Sequence, residues 1–155
     1  MADLTVTITE DLTINSTAVG GTNSITISSI SDYTRKTITC RSATTTKIVS
    51  FDTAESTSDM ALDVQNVKYV RITNLSTTIS TTIATLLNVD SGADSASTSY
   101  NIGPGESFIL FGLDASKDVE ADDTPAFGTL KDVSNILAKP TTSADCQLEI
   151  FVASA

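Results

Sequence analysis

The side chains in this sequence that could do chemistry are mainly carboxylates, and the densest group of them lies between residues 114 and 123. Paired carboxylates can hydrolyse glycosidic bonds, and carboxylate oxygens can bind Ca²⁺. The group lacks the D-x-[DN]-x-[DN]-G spacing of a calcium loop, and no aromatic platform for a sugar lies beside it. We therefore expect a solvated acidic loop, with cation binding left open. Its members are Asp114, Asp118, Glu120, Asp122 and Asp123.

Histidine is absent from the chain, which removes the commonest general base of enzymes. The usual Ser-His-Asp and Cys-His centres therefore cannot be assembled from its residues. The segment Val19-Gly20-Gly21-Thr22 lacks the spacing of a phosphate-binding loop. We predict that the protein is not an enzyme, and we assign no catalytic, cofactor-binding or metal-binding residue.

The two cysteines are predicted to be buried. Cys40 follows Ile38 at strand spacing, and Cys146 has the same parity as Leu148 and Ile150. Buried free cysteines behave as small hydrophobic residues, and two isolated cysteines without histidine make a poor zinc site. We expect two inward-facing free thiols, with a disulfide between them as the alternative.

The aromatic residues give little support for carbohydrate binding, because the chain has no tryptophan and only three scattered tyrosines. Tyr69 is expected in the core. A shallow pocket beside an exposed Tyr33 or Tyr100 would favour a ligand-binding module, since sugar-binding surfaces expose such rings. This module is the alternative function from a different class.

The charge of the chain disfavours two classes of partner. Nineteen acidic residues against nine basic ones give a formal charge of −10, which repels nucleic acid and anionic membranes. The first basic residue is Arg35, so residues 1–34 have no basic region of the kind that opens an export signal. No apolar run approaches the roughly 20 residues of a membrane-spanning helix. We expect no nucleic acid, membrane or small-molecule substrate as partner.

The elements that position these residues are predicted to be strands. The chain is rich in serine and threonine and poor in helix-forming runs, and its 155 residues fit one domain with a single core. Leu4, Val6 and Ile8 alternate with threonines, and Val67 to Leu75 carries branched or aromatic residues on both faces, so that it should have protein on both sides. Eight to ten short strands predict an all-β fold: an antiparallel β-sandwich or jelly roll with at most one short helical turn.

Three connections in this pattern carry specific predictions. Segments Asn15–Asn23 and Asp90–Ser99 are expected to be loops, and Ile102–Gly105 a tight turn. Leu130, Val133 and Ile136 or Leu137 have helical spacing, which predicts a short helical turn; the alternative is a strand through Ile136 and Ala138. We expect the chain then to form a hairpin across 141–145 with the strand at 147–152.

Several of these segments resemble small accessory structural proteins of tailed-phage virions, particularly those of marine phages. The resemblance covers half to two-thirds of the chain. It rests on the segments Val67-Lys68-Tyr69-Val70-Arg71-Ile72-Thr73-Asn74-Leu75, Thr82-Ile83-Ala84-Thr85-Leu86, Ile102-Gly103-Pro104-Gly105-Glu106-Ser107-Phe108, Ala121-Asp122-Asp123-Thr124-Pro125-Ala126-Phe127-Gly128 and Leu148-Glu149-Ile150-Phe151-Val152-Ala153-Ser154. The resemblance implies a symmetric oligomer without enzymatic activity, located in a virion that is assembled in the host cytoplasm.

The predicted function is therefore a capsid decoration or cement protein that acts by self-association, as a homotrimer, and by adhesion to other virion proteins. A tail or fibre component is the alternative within the virion. Residues 1–155 are expected to form one sandwich domain, with residues 1–14 as an N-terminal arm. The strand around Leu4 to Ile14 would pair with or lie on a neighbouring copy, because exposed strand edges readily accept a partner.

Overall fold

A computed structural model of the protein describes residues 1–52, 62–87, 97–111 and 133–155, and it confirms the all-β prediction. No helix is present within these ranges. The strands are β1 (Ala2–Thr9), β2 (Thr13–Ile14), β3 (Thr17–Ala18), β4 (Thr22–Ile30), β5 (Asp32–Cys40), β6 (Thr46–Asp52), β7 (Leu62–Asp63), β8 (Val67–Asn74), β9 (Thr81–Leu87), β10 (Ser97–Ile102), β11 (Ser107–Phe111), β12 (Val133–Pro140) and β13 (Cys146–Ser154).

Two sheets pack face to face as a β-sandwich. One has the order β11-β8-β13-β5 and the other β10-β9-β12-β6-β7, and their pairings are antiparallel except that of β6 with the short β7. Alternate residues of the strands turn inward and form one apolar core, to which both sheets contribute. The residues least exposed in it include Ile48, Val67, Val70, Ile72, Ile83, Val133, Ile136, Leu148 and Ile150.

Residues 2–30 form one long hairpin beside the sandwich, which we call the N-terminal hairpin. β1 pairs with β4 in antiparallel register, and β2 pairs with β3 at the tip. The tip was predicted as a loop over 15–23, but the turn is confined to Asn15 and Ser16. Both residues have positive φ, 50° and 64°, as a two-residue type I′ turn requires.

The predictions for the last two strands are wrong in two respects. The preferred helical turn is wrong, and the alternative, a strand through Ile136 and Ala138, is confirmed as β12. Leu130 lies outside the described residues. The register of β12 against β9 shifts between Val133 and Asn135, which brings Val133 onto the same face as Ile136 and Ala138. That irregularity produces the three-residue spacing which imitates a helix.

The expected hairpin between β12 and β13 is also absent. β12 pairs with β6 and β9, whereas β13 pairs with β5 and β8. Segment 141–145 therefore carries the chain from one sheet to the other. β10 is a further difference, because it occupies residues 97–99 of a predicted loop and exposes most of its polar side chains at the edge of its sheet.

The turn between β10 and β11 follows the prediction. Glu106 donates its backbone N–H to the carbonyl of Gly103 across 3.2 Å, and Gly105 has a φ of 76°. Proline followed by a glycine of positive φ is the pattern of a type II turn. The Glu106 carboxylate also accepts the N–H of Gly103 at 2.6 Å, so the side chain closes the same turn.

Asn74, at the end of β8, is buried and joins three segments by hydrogen bonds. Its Nδ2 donates to the carbonyls of Ile79 at 2.7 Å, Gly103 at 3.0 Å and Ile102 at 3.3 Å. Its Oδ1 accepts the backbone N–H of Ser76 at 3.0 Å and the thiol of Cys146 at 3.1 Å. The side chain therefore ties two connections between the sheets to β13.

Candidate functional site

The residues first considered for chemistry are not brought into a site that the structure describes. The acidic group at 114–123 lies outside the described residues. Within 1–52, 62–87, 97–111 and 133–155, no three His, Cys, Asp or Glu side chains are grouped to hold a metal ion. No helix in those ranges has the length and hydropathy to cross a membrane.

The two cysteines lie opposite each other in the β5–β13 pair, and both are free and buried, as predicted. Burial raises the pKa of the Cys40 thiol, although a hydrogen bond with Thr46 opposes the shift. Thr81 Oγ1 donates to Cys146 Sγ at 3.0 Å. Both thiols are buried away from reagents, and the raised pKa of Cys40 makes its thiolate scarce, so this pair serves packing in the folded protein.

The most distinctive surface of the described residues is the side of the β11-β8-β13-β5 sheet that is turned away from the core, which we call the outer face. Residues of odd number lie there on β5, β11 and β13, and on β8 from Tyr69 onwards, while the even-numbered apolar residues enter the core. A register shift at the start of β8 places Val67 in the core as well. The outer face includes Tyr33, Arg35, Tyr69, Arg71, Ile109, Phe111, Glu149 and Phe151, with the small Ala153 between the tyrosines.

Four aromatic rings cross the outer face in a row from edge to edge. Ring centroids are 6.1 Å apart for Tyr33 and Phe151, 6.0 Å for Phe151 and Tyr69, and 5.3 Å for Tyr69 and Phe111. Tyr69 was predicted in the core; it is 5% exposed, but its neighbours on the outer face cover it. The two ends of the row are open, with Tyr33 67% and Phe111 41% exposed.

Two arginines and one glutamate form an ion-pair cluster beside the aromatic row. Glu149 on β13 accepts from Arg35 on one neighbouring strand at 2.6 Å and from Arg71 on the other at 2.6 Å. The Glu149 side chain is more buried than either arginine side chain. The cluster carries a net positive charge on a chain whose total is −10, and the Arg35 side chain is 64% exposed.

The N-terminal hairpin has one apolar face and one hydroxyl face. Leu4 lies opposite Ile27 and Val6 opposite Ile25, and Ile8 extends the apolar row. On the other face, Thr7 and Ser24 are hydrogen-bonded through their hydroxyl groups at 2.9 Å. Ile8 and Ile25 remain 46% and 47% exposed, so the apolar face is incompletely covered.

A cleft of about 450 Å³ separates β1 from the outer face. Residues Leu4 to Ile8 line one side, and Tyr69, Arg71, Ser107, Ile109 and Phe151 line the other. The hairpin therefore lies over the sheet with space between the two surfaces. This cleft is the candidate functional site of the described residues. Its lining is mostly apolar, with the charged Arg71 among the residues on the sheet side, so it suits a packing contact.

The two tyrosines considered for sugar binding lie apart from this cleft. Tyr33 stands at the edge of the outer face, and Tyr100 packs against Phe108 with a centroid distance of 5.0 Å. Neither belongs to the residues that line the cleft.

Sequence reasoning did not single out Arg35, Ile109, Glu149 or Phe151 as interaction residues. Their signal was present in the alternation of the strands, since β13 carries an apolar ring and a charge on the face opposite its core residues. A strand with apolar residues on both faces indicates a second contact surface, and only the register across β5, β13 and β8 reveals that these side chains form one patch. Comparison with known protein families and with curated protein sequences gives no match for this chain.

Proposed function

We propose that this chain is a non-enzymatic structural protein of a virion, most simply a capsid decoration or cement protein that self-associates as a trimer and adheres to the shell. The observation that carries the proposal is the N-terminal hairpin, which exposes an apolar face outside the sandwich. Neighbouring apolar side chains that are exposed along one face are typical of a surface that contacts another protein. The residue resemblance to tailed-phage structural proteins supplies the class of particle.

The strand order supports a finer assignment of the fold, which we propose to be a jelly roll. Disregarding the short β7, consecutive strands from β5 to β13 alternate between the sheets except at the β9–β10 pair. The resulting orders, β11-β8-β13-β5 and β10-β9-β12-β6, support an arrangement of two interlocked Greek keys. Jelly rolls occur in viral capsid proteins and also in lectins and cupins, so the order supports a virion role by analogy of fold.

The test is to locate the chain in purified virions by imaging at residue resolution. We expect one ordered copy per repeating position on the outside of the capsid shell, arranged in threes. Density for the chain in the tail or a fibre would replace the decoration assignment with the alternative one. Absence of the chain from purified particles, measured by mass spectrometry, would overturn the virion proposal.

A ligand-binding module is the second candidate, and the exposed ring of Tyr33 favours it. An exposed aromatic ring can stack on a sugar, and the lectin use of this strand order provides a precedent. A glycan array probed with the protein and with Tyr33→Ala tests this function. Binding that is lost in the variant would favour the module over the structural role.

A further inference from the structure

We propose that the outer face receives the N-terminal hairpin of a second copy of this chain, so that neighbouring copies exchange hairpins. The proposal deepens the proposed function and rests on its self-association, although it does not depend on where the assembly is located. It names both surfaces of the contact: the apolar face of one hairpin and the aromatic row of the next copy.

The two surfaces match in polarity, and each is incompletely covered within one chain. Leu4 and Val6 are only half-buried, and Ile8 and Ile25 are more exposed. On the outer face, the two ends of the aromatic row, which lie beyond the lining of the cleft, are exposed as well. An isolated two-stranded hairpin is marginally stable in water, so its apolar face requires a closer partner than the one it has in the single chain.

The two surfaces also match in charge. The hairpin contains Asp3, Glu10 and Asp11 and no Lys or Arg, whereas the outer face has two arginines for one glutamate. Two hairpins would repel each other, and an acidic hairpin would be attracted to the Arg35 side of the outer face. This complementarity selects the outer face of a copy, rather than another hairpin, as the receiving surface.

The connection between the hairpin and the sandwich favours exchange. Only Ser31 separates β4 from β5, and its backbone N–H is held by the carbonyl of Ser154 at 2.9 Å. The positive φ of Ser29, 65°, belongs to the bulge of β4 against β1 and moves with the hairpin. A one-residue connection limits how closely the hairpin can fold back on its own sheet, and a short hinge of this kind promotes domain swapping because the same contacts can form between chains.

The first test lengthens this connection. Insertion of Gly-Ser-Gly-Ser after Ser31 gives the hairpin enough reach to cover its own sheet closely. We expect sedimentation velocity at micromolar concentration to show oligomers for the natural chain and at least a tenfold larger monomer fraction for the insertion variant. The matched control carries the same four residues between Asn15 and Ser16 and should keep the oligomer. A natural chain that is monomeric at micromolar concentration, or an insertion variant with unchanged mass, overturns the proposal.

The second test asks which chain supplies the hairpin. Val6→Cys and Ile109→Cys place one thiol on each side of the cleft, on two separate chains that are refolded together and treated with a short bismaleimide. Exchange predicts a covalent dimer that contains one copy of each variant. The natural chain, treated in the same way, shows whether Cys40 and Cys146 form cross-links by themselves. If only a chain carrying both substitutions becomes linked, and it does so within itself, each hairpin lies on its own sheet and the proposal is wrong.

The third test compares two aspartates on the N-terminal hairpin. Val6→Asp adds charge to the apolar face, and Ser24→Asp adds the same charge to the hydroxyl face, at an exposed position outside the cleft lining. We expect the first to shift the dissociation constant of the oligomer at least tenfold and the second to leave it nearly unchanged, with circular dichroism to verify folding. Equal effects would overturn the proposal. If the cross-linked dimer forms but the chain is absent from purified virions, the exchange of hairpins stands and only the virion assignment is wrong.

Discussion

Asn74 shows how one polar side chain can organise the core of this sandwich. It is fully buried, yet both its oxygen and its nitrogen are hydrogen-bonded. Its partners belong to the connections that lead from β8 to β9 and from β10 to β11, and to β13. Burial of an amide is tolerated only with such partners, so Asn74 specifies how these segments meet.

We expect Asn74→Ala to destabilise the protein by about 3 kcal/mol, because several buried polar groups would lose their partner at once. Urea unfolding monitored by circular dichroism measures the change. Asn101→Ala removes the same side chain from an exposed position of β10 and should cost less than about 0.5 kcal/mol. Equal effects of the two substitutions would contradict this account of Asn74.

The Cys40 thiol predicts a loss of stability at alkaline pH. Burial raises its pKa in the folded protein, so the unfolded chain releases the proton at a lower pH than the folded one. The protonated Cys40 thiol contributes fully to the free energy of unfolding below the pKa of the unfolded chain, which is about 8.5. That contribution is lost as the pH rises towards the higher pKa of the folded protein.

This loss is measured as the free energy of unfolding between pH 7 and about 9.5, under reducing conditions and below the usual pKa of tyrosine. We expect the natural chain to decline more steeply than Cys40→Ala over that range. The other titrating groups, including Lys36 and Tyr69, are common to both proteins and cancel in the difference. Parallel curves would show that Cys40 makes no such contribution.

At the scale of single residues, the sequence predicted which side chains are buried better than it predicted which neighbours cover them. The parity of Cys40 and Cys146 with their apolar neighbours correctly predicted inward thiols. Tyr69 was correctly predicted to be buried, but its cover comes from Phe111 and Phe151 on the outer face. Parity gives the face of a strand, whereas the neighbours on that face depend on pairings between distant segments.

Among the elements, the N-terminal hairpin depends on a close approach of its two arms at Gly20. A Cβ atom at this position would lie 2.0 Å from the carbonyl oxygen of Glu10, whereas one at Gly21 would meet nothing within 4 Å. The arms are held there by hydrogen bonds from Glu10 to Gly21 at 2.7 Å and from Val19 to Leu12 at 2.8 Å.

We therefore expect Gly20→Ala to separate the arms, while Gly21→Ala, the matched control, leaves them paired. Hydrogen exchange at the amides of Glu10 and Val19 should be roughly tenfold faster in Gly20→Ala, equivalent to about 1.4 kcal/mol. Protection unchanged in both variants would mean that the backbone adjusts to the added methyl group without opening the hairpin.

The elements that the sequence mispredicted have identifiable causes. The register shift in β12 gave Val133 and Ile136 a helical spacing. β10 has a polar sequence from Ser97 to Asn101, so no alternation of apolar and polar side chains predicts it as a strand. Its strand structure comes from backbone pairing with β9. Strands with clear alternation, such as β1 and β13, were predicted correctly because their burial follows the pattern.

On the scale of the whole molecule, the sandwich is expected to be stable without the hairpin. No residue of 2–30 belongs to the buried core cluster. Removal of residues 1–30 should change the free energy of unfolding of the sandwich by about 1 kcal/mol or less, measured by urea unfolding, and should leave a monomer by sedimentation velocity. A truncated chain that unfolds, or that keeps the oligomer, would show that the hairpin has a different role.

β13 lies in the middle of its sheet, between β8 and β5, although it is the last strand of the sandwich along the chain. During synthesis, β5 and β8 are therefore made long before β13. Until β13 is added, the edges of β5 and β8 that pair with it have no hydrogen-bonding partner. Contacts between such distant segments also make folding slow. The nascent chain consequently passes through a period in which it is prone to aggregate, and β13 ends that period when it enters the gap.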